Sequence, residues 1–289
     1  MPLDAISLRA VVAELRPELL GLRIEKVQQP ARDQVILLLR GNRRLLINAG
    51  ANAPRIQLTK LQRDNPAEPP MFCMLLRKHL LGAKIADISQ PPLERLVKME
   101  LDIIDDFGQP GKRTLVLEAM GRRSNLILLD GDGRIIECMR RVDAEMSPQR
   151  QVLPGLYYEQ PPATDRLAVT EETEEGFREK LARSGGEQRC ESFLLEQYFG
   201  LAPLMARELV FRAAGDTDRR LFELREGEKT ALWEEISRFV NDVQANNFTP
   251  ICLKKDGRPT EFFCLPITQY GSAMEQVRYE SFSELLDAF

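Results

Sequence analysis

The sequence predicts an α+β protein: an antiparallel β-sandwich or partly open barrel with flanking helices, then an all-α domain and a terminal β-hairpin. Three observations lead to this prediction. Short apolar segments bounded by turn residues fill most of residues 23–139, which is typical of strands joined by hairpins. From about residue 174 the apolar residues recur at the spacing of helices. Near the end, Asp256-Gly257 separates two further strand-like segments.

The first predicted domain covers residues 1–165 and begins with a helix. Apolar residues recur at helical spacing from Ile6 to Leu20, and Gly21 is suited to end that helix. A second helix is predicted for residues 69–82, which open with two prolines and end near a glycine. The predicted strands are residues 23–27, 34–39, 44–49, 55–59, 83–89, 93–104, 113–120, 124–130 and 134–139.

The second predicted domain covers residues 174–250 and contains four helices, after a linker at residues 161–175. A third part, residues 251–289, is predicted to hold the β-hairpin and the first turns of a helix. Ser283 is the predicted cap of that helix, with Glu284 in its first turn. Because the helix stops after about two turns, we expect the chain to be a fragment of a protein in which this helix continues.

Charge and composition exclude several classes of protein. The net charge of the 289 residues is −4, but residues 1–165 carry +3 and the remainder −7, which permits a basic surface on the first domain.

No apolar run is long enough to cross a bilayer, and no signal peptide is recognisable. The five cysteines are scattered without a C-x-x-C pair, so we expect a cytoplasmic protein without disulfides or structural zinc. A single histidine argues against hydrolytic triads, and the absence of a P-loop argues against nucleotide chemistry. We therefore expect neither a metal nor a cofactor.

The stretch PPMFCMLLRKHLLG, residues 69–82, combines an apolar body with a basic end. Arg77, Lys78 and His79 stand in its last turn, where positive charge complements the helix dipole. One interpretation is therefore purely structural, and the other is that a firmly packed helix serves as a platform for positioned cations. Two apolar stripes predict burial nearly all round: Phe72, Leu75, Leu76 and Leu80 form the first, and Met71, Met74 and Leu81 the second.

Arg95 is the unexpected residue of the segment LERLVKMELDII. Counting by two places it on the same face as five apolar residues, near the start of the predicted strand. A buried guanidinium would need a carboxylate partner, for which Asp4 and Glu118 are the candidates. The alternative is an arginine at the rim of the sheet whose charged end reaches water. In the functional interpretation, the guanidinium is held ready for a phosphate or a ribose.

The stretch EAMGRRSN, residues 118–125, places several hydrogen-bond donors on one short loop. Gly121 interrupts two strong strand patterns and permits a tight turn. Arg122, Arg123, Ser124 and Asn125 then follow, and such a loop suits a phosphate backbone, which requires cations and directed donors rather than base-specific geometry. The alternative is an ordinary solvated hairpin turn.

Residues 199–215 have the pattern of a helix-hairpin-helix. A glycine-containing turn separates two predicted helices, and Pro203 suits the first position of the second helix. In that motif the amides of the turn bind a nucleic-acid phosphate. Gly200, Leu201 and Ala202 form the turn here, with alanine where the motif usually has its second glycine, so a simple packed pair of helices is the alternative.

Four stretches together resemble one family in their order and spacing. They are NPAEPPMFCMLLRKHLLGAKI, PPLERLV, EAMGRRSNLILLD and VLPGLYYEQPP. The chain is similar over essentially its whole length to NFACT proteins, a family that includes RqcH and NEMF and bacterial proteins long labelled fibronectin-binding protein A. The resemblance implies an N-terminal domain with a fold like that of the glycosylase N-domain and a helix-hairpin-helix domain. It also implies that a coiled coil would begin where this chain ends.

The resemblance also implies a function in ribosome quality control. NFACT proteins bind a large ribosomal subunit that carries a stalled peptidyl-tRNA, and they recruit charged tRNA, alanyl-tRNA in bacteria. The ribosome then adds a C-terminal tail to the nascent chain. The resemblance therefore implies that this protein binds tRNA and the large subunit and is not itself an enzyme.

The resemblance implies particular site residues as well. The family's Asp-Arg pair falls on Glu94-Arg95, where the acid differs, and its early aspartate matches Asp4. Its M-G-R-H-S-N motif spans residues 120–125, with Arg123 in place of histidine. The residues assigned to tRNA binding are Asp4, Arg77, Lys78, His79, Glu94, Arg95, Glu118, Arg122, Arg123, Ser124 and Asn125.

Two other functions are considered. A fibronectin-binding adhesin is the older description of some relatives, although no signal peptide or cell-wall anchor is recognisable in this sequence. A DNA glycosylase is the remote alternative, because the related glycosylases use an N-terminal proline amine and this chain begins Met1-Pro2. It lacks their zinc-finger cysteines, and Leu3 and Asp4 follow in place of their Glu-Leu-Pro-Glu start.

Overall fold

The structure is a computed structural model that describes residues 3–105 and 107–289. Pro2, on which the glycosylase alternative depends, lies outside the described residues. The chain forms two compact units. The first contains Val11–Pro162 and Ser281–Ala288, and the second contains Asp4–Ala10 and Ala163–Glu280. The predicted third part, residues 251–289, is thus distributed over both units.

The fold class is α+β, as predicted, with antiparallel sheets and flanking helices. Helix α1 (Ala5–Leu19) opens the chain, contains Pro17 and contributes residues to both units. Strands β1 (Ile24–Ala31), β2 (Gln34–Leu39), β3 (Arg43–Asn48) and β4 (Arg55–Leu58) then form an antiparallel sheet in sequence order. Gly41 and Asn42 join β2 to β3 with φ angles of +85° and +62°, the left-handed pair that a tight hairpin requires.

The second sheet of the first unit carries most of the candidate site residues. It follows helix α2 (Met71–Leu80). Its order is also sequential and antiparallel: β5 (Lys84–Ser89), β6 (Leu96–Ile104), β7 (Pro110–Glu118), β8 (Asn125–Leu129) and β9 (Ile135–Cys138). The amide of Ile24 donates to the carbonyl of Ala83 at 2.9 Å, and this link joins the edges of the two sheets. Neither sheet closes into a barrel among the described residues.

The alternation of buried residues in β6 agrees with its sequence pattern. Val97, Met99 and Leu101 are buried, whereas Glu100 and Asp102 are exposed. A core cluster between β6 and β9 consists of Leu96, Val116, Ile127, Leu129, Ile135, Cys138 and Val152. This core fixes the register of the strands, because a slip by one residue would turn the apolar face to water.

The second unit is mostly helical. Its elements are β10 (Leu167–Ala168), α3 (Glu174–Arg183), α4 (Cys190–Gln197), β11 (Tyr198–Phe199), α5 (Pro203–Ala214), α6 (Glu226–Gln244), β12 (Ile251–Lys255), β13 (Arg258–Phe263) and β14 (Glu275–Arg278). Rings of Phe177, Phe193, Tyr198 and Trp233 pack within it at centroid distances of 5.6 to 6.5 Å. The predicted hairpin turns at Asp256-Gly257, and the sequence pattern missed β14.

Helix α7 (Phe282–Ala288) returns to the first unit and packs against β4. The prediction that Ser283 caps this helix is wrong, because Ser283 lies inside it. The hydroxyl of Ser281 accepts the Glu284 amide at 3.1 Å and is the cap. The carboxylate of Glu14 accepts the amides of Phe282 and Ser283 at 2.6 and 3.0 Å, so a distant acid satisfies two further donors of the first turn.

None of the described helices is long and apolar enough to cross a membrane. All five cysteines are buried and unpaired: Cys73, Cys138, Cys190, Cys252 and Cys264. Within the two described ranges, no group of three or more ligating side chains is placed to hold a metal ion.

Candidate nucleic-acid interface

Arg95 lies at the rim of the second sheet, not in its core. Of the two positions that the sequence left open, the rim is correct and the buried guanidinium on the apolar face is not. The physical reason is the turn before the strand: Leu93 has a φ of +52°, and β6 begins only at Leu96, so the alternation does not extend back to residue 95. In the described part of the chain, Arg95 forms no ion pair with any carboxylate.

Strand register brings Arg95 beside the loop at residues 120–124. Leu96 pairs with Glu118 across β6 and β7, and the Ala119 amide donates to the Arg95 carbonyl at 2.8 Å. The chain then continues from Ala119 into Met120 and Gly121. Residues that are separated by 25 or more positions in sequence therefore meet at one end of the sheet.

A short 3-10 turn, Gly121–Arg123, presents two arginines to solvent. Gly121 has a φ of +59°, the left-handed region that favours glycine. The Met120 amide donates to the Ser124 hydroxyl at 2.9 Å, which closes the loop. Arg122 and Arg123 are exposed and, among the described residues, their guanidinium groups have no acidic partner.

Ser124 and Asn125 do not offer their side chains to a ligand. Both are buried, so the prediction that they are open donors is wrong. The Asn125 side-chain amide donates to the Arg140 carbonyl at 2.7 Å, and its oxygen accepts the Arg140 amide at 2.9 Å. The hydrogen bonds of these two buried side chains hold the backbone of the loop.

Arg140 is a residue of this region that sequence reasoning missed. Its guanidinium donates to the Arg122 carbonyl at 3.1 Å. Only the pairing of β8 with β9 brings it there, and no local sequence pattern reveals that pairing in advance. We call the three exposed side chains Arg95, Arg122 and Arg123 the arginine cluster, and Arg140 supports it.

Glu118 has a different partner from the predicted one. It is 2% exposed and pairs with Arg150, whose Nη1 lies 3.2 Å from Oε2. The Tyr158 hydroxyl donates to Glu118 Oε1 at 2.8 Å. Burial and the neighbouring carboxylate raise the pKa of Tyr158 well above its ordinary value. Glu118 is therefore not the partner of Arg95 for which it was a candidate, because Arg150 and Tyr158 hold this carboxylate inside the protein. A contact of Glu118 with tRNA stays a prediction.

Glu94 is half-buried next to Arg95. Burial raises the pKa of its carboxyl group, and the positive charge of Arg95 opposes that effect without cancelling it. An acid in this position retains its proton at a higher pH than an exposed glutamate.

Helix α2 packs on one side only, mainly against β1. The first predicted stripe is essentially buried, but the prediction that the second stripe is buried is wrong. Met71 is 80% exposed, and Met74 and Leu81 are about half exposed, because no other described element covers that face. In the basic turn, Arg77 donates through Nε to the Val27 carbonyl at 3.0 Å, Lys78 is exposed and His79 is half-buried.

Two features that were predicted to bind nucleic acid, Asp4 and the turn at residues 200–202, belong to the second unit. The Asp4 carboxylate accepts the Ser7 amide at 2.7 Å and caps α1. Gly200, with a φ of +92°, forms the turn before α5 together with Leu201 and Ala202. Phosphate binding by this turn and tRNA contact by Asp4 stay predictions.

Comparison with known proteins identifies the family. The family model described as NFACT N-terminal and middle domains matches residues 4–289, and the chain belongs to this family. It is 32% identical over 293 residues to the Rqc2 homolog RqcH of Bacillus subtilis, an alignment that covers 100% of this chain and 49% of the relative. The archaeal Rqc2 homolog aRqcH of Methanocaldococcus jannaschii is 29% identical and is aligned with 86% of this chain and 35% of its own length. The chain thus spans about half the length of the first relative and about a third of the length of the second.

Solved structures have the same fold. The crystal structure of the fibrinogen-binding protein from Staphylococcus aureus gives a TM-score of 0.81 at 28% identity, covering 98% of this chain and 97% of that one. The N-terminal part of the fibronectin/fibrinogen-binding protein from Streptococcus suis gives 0.78 at 29% identity, with the same coverage.

Proposed function

We propose that this chain is the tRNA-binding part of a ribosome quality control factor. The observation that carries the proposal is the arginine cluster: three exposed guanidinium groups at one end of a sheet, without an acidic partner in the described residues. Phosphates are the natural ligands of such groups, because guanidinium binds them by paired, charge-assisted hydrogen bonds. Relatives named for ribosome quality control favour RNA as the source of those phosphates.

The surrounding structure supports binding by a prepared surface. The Ser124 and Asn125 hydrogen bonds and the main-chain bond between Ala119 and Arg95 hold the backbone of the cluster in place. Less conformational entropy is then lost when RNA binds.

The finer features of the function are proposed on the same basis. The tRNA is alanyl-tRNA, and the full-length protein also binds a large ribosomal subunit with a stalled peptidyl-tRNA in the cytoplasm. The protein acts by binding, and the ribosome forms the peptide bonds of the tail. No cofactor takes part.

The test is a direct comparison of two single variants. Arg95→Gln is expected to weaken binding of alanyl-tRNA by this chain, measured by fluorescence anisotropy. Arg141→Gln is the matched control, because Arg141 is also exposed and lies nearby but its charge is already paired with Glu137 at 2.7 Å. Equal affinities of the folded wild-type and Arg95 variant would contradict the proposal, as would failure of the wild type to bind tRNA.

Fibronectin binding is the second candidate, and the names of structural relatives favour it. The exposed apolar face of α2, formed by Met71, Met74 and Leu81, is the surface best suited to a protein partner. Immobilised fibronectin and alanyl-tRNA should be compared with the same purified chain. Tight binding of fibronectin without binding of tRNA would favour the adhesin.

A further inference from the structure

The first unit carries an exposed aromatic ring with a cation stacked on it, away from the arginine cluster. The guanidinium carbon of Arg134 lies 4.4 Å from the centroid of the Tyr157 ring. Tyr157 is 57% exposed. Arg134 is exposed as well, and no carboxylate forms an ion pair with it in the described ranges. The pair therefore presents an aromatic surface and an unneutralised positive charge side by side.

Main-chain hydrogen bonds between the two segments hold Arg134 and Tyr157 in place. Arg134 and Tyr157 face each other in an antiparallel bridge. On either side of it, the Ile135 amide donates to the Leu156 carbonyl at 2.8 Å, and the Tyr158 amide donates to the Gly133 carbonyl at 2.9 Å. The pair thus sits on ordered backbone and not on a mobile loop tip.

Side chains fix the same two segments further. The Asp130 carboxylate accepts the Arg134 amide at 2.9 Å and so holds the turn from which Arg134 projects. Tyr158, next to Tyr157, is anchored through its hydroxyl to the buried Glu118. A ring on such a support loses little freedom when a ligand stacks on it, so most of the stacking energy is available for binding.

We propose that the Arg134–Tyr157 pair is a stacking site for an unpaired nucleobase of the bound RNA. Bases that are splayed out of RNA loops stack on tyrosine rings and on guanidinium planes, and the cation strengthens the stack. The inference rests on the proposed function and adds a contact that reads the face of a base, whereas the arginine cluster binds phosphates.

The position of the pair suits a second contact with the same RNA molecule. Strand β8 leads from the arginine cluster to the turn that carries Arg134. Its five residues span roughly 16 Å, at about 3.3 Å per residue. One tRNA loop can therefore reach both contacts.

The test combines affinity with its salt dependence, using alanyl-tRNA and the whole chain. Tyr157→Ala is expected to weaken binding by about 5- to 150-fold, the usual effect of removing one stacking ring. The slope of affinity against salt should stay at the wild-type value, because no phosphate contact is lost. Tyr157→Phe, which keeps the ring, should bind like the wild type. Leu156→Ala is the control for loss of exposed apolar surface and should also bind like the wild type.

The outcomes separate this inference from the proposed function. If the wild type binds tRNA and folded Tyr157→Ala binds equally well, the stacking site is overturned and the arginine cluster stands. An equal loss in Leu156→Ala, or a loss of fibronectin binding alone in Tyr157→Ala, overturns it too. If the wild type does not bind tRNA, the proposed function itself fails.

Discussion

The main-chain amide of Ala119 donates a 2.8 Å hydrogen bond to the carbonyl oxygen of Arg95. This bond continues the β6–β7 ladder one step beyond the pair formed by Leu96 and Glu118. It places Arg95 beside the loop with Arg122 and Arg123 through the main chain. The geometry of the arginine cluster is thus a property of strand register, and substitution of one arginine should leave the positions of the others unchanged.

This independence predicts additive effects on salt dependence. Arg122→Gln and Arg123→Gln should each reduce the slope of log affinity for tRNA against log salt by about one unit, and the double variant by about two. Anisotropy titrations between about 50 and 200 mM salt measure the slopes. An unchanged slope in a single variant would assign that residue to an ordinary solvated turn.

Glu118 should contribute to stability. Glu118→Ala leaves Arg150 unpaired, and the Arg150 side chain is only 14% exposed, so the free energy of unfolding should fall by about 3–5 kcal/mol. Urea denaturation monitors this change. Glu100→Gln is the control, because Glu100 is exposed on the neighbouring strand and should change stability by less than about 0.5 kcal/mol. A loss below about 1 kcal/mol for Glu118→Ala would contradict the sealed arrangement.

Glu14 should hold α7 in place. Glu14→Ala removes the acceptor of the Phe282 and Ser283 amides, at a cost of about 0.5–2 kcal/mol in local stability. Hydrogen exchange of residues 282–285 should therefore become faster. Glu18→Ala on the same helix removes only an exposed pair with Arg43, and it should leave this exchange unchanged.

The second unit should lose stability in acid, partly through Glu172. Burial by itself raises the pKa of this carboxyl group, but the hydrogen bonds from Lys180 and Thr173 outweigh it, and the pKa lies below the ordinary 4.5. Its stabilising contribution is therefore present above pH 4.5 and is lost as the pH falls through the lowered pKa. Glu172→Gln should be less stable than the wild type at neutral pH and should lose less stability on acidification. Urea midpoints measured on either side of pH 4.5 test this.

The cysteines should be unreactive in the native protein. Burial raises the pKa of Cys138 and of Cys190 to about 12, and it also raises the pKa of the other three thiols. Ellman's reagent should detect few or no thiols in the folded chain at mildly alkaline pH and all five in denaturant. Rapid reaction of one or more thiols in the native protein would contradict their burial.

The sequence predicted the elements whose periodicity is strong and local. Strand β2 coincides with its predicted range of residues 34–39, and α2 begins after the two prolines that signalled it. Strand β14 escaped prediction because Val277 is the single apolar residue among its four, and backbone pairing with β12 defines it. A two-residue period cannot reveal such a strand.

The sequence was sufficient to identify the arginines of the candidate site, but it did not predict their positions relative to one another or the partner of Glu118. Arg122 and Arg123 stand out in the sequence because Gly121 marks a turn before them. The sequence could not decide between a buried and a rim position for Arg95, because nothing local reveals the positive φ of Leu93. The partner of Glu118 is separated from it by 32 residues, and periodicity contains no information on contacts at that distance.

The return of α7 to β4 has a consequence for the order of folding during synthesis. The first unit needs Ser281–Ala288 in addition to Val11–Pro162, and residues Ala163–Glu280 of the second unit lie between them in the chain. At about 5–20 residues per second, translation of that interval takes roughly 6 to 24 s. Throughout this delay the nascent first unit lacks its last helix, with the surface of β4 uncovered. Its completion therefore follows translation of Ala163–Glu280, the larger part of the second unit.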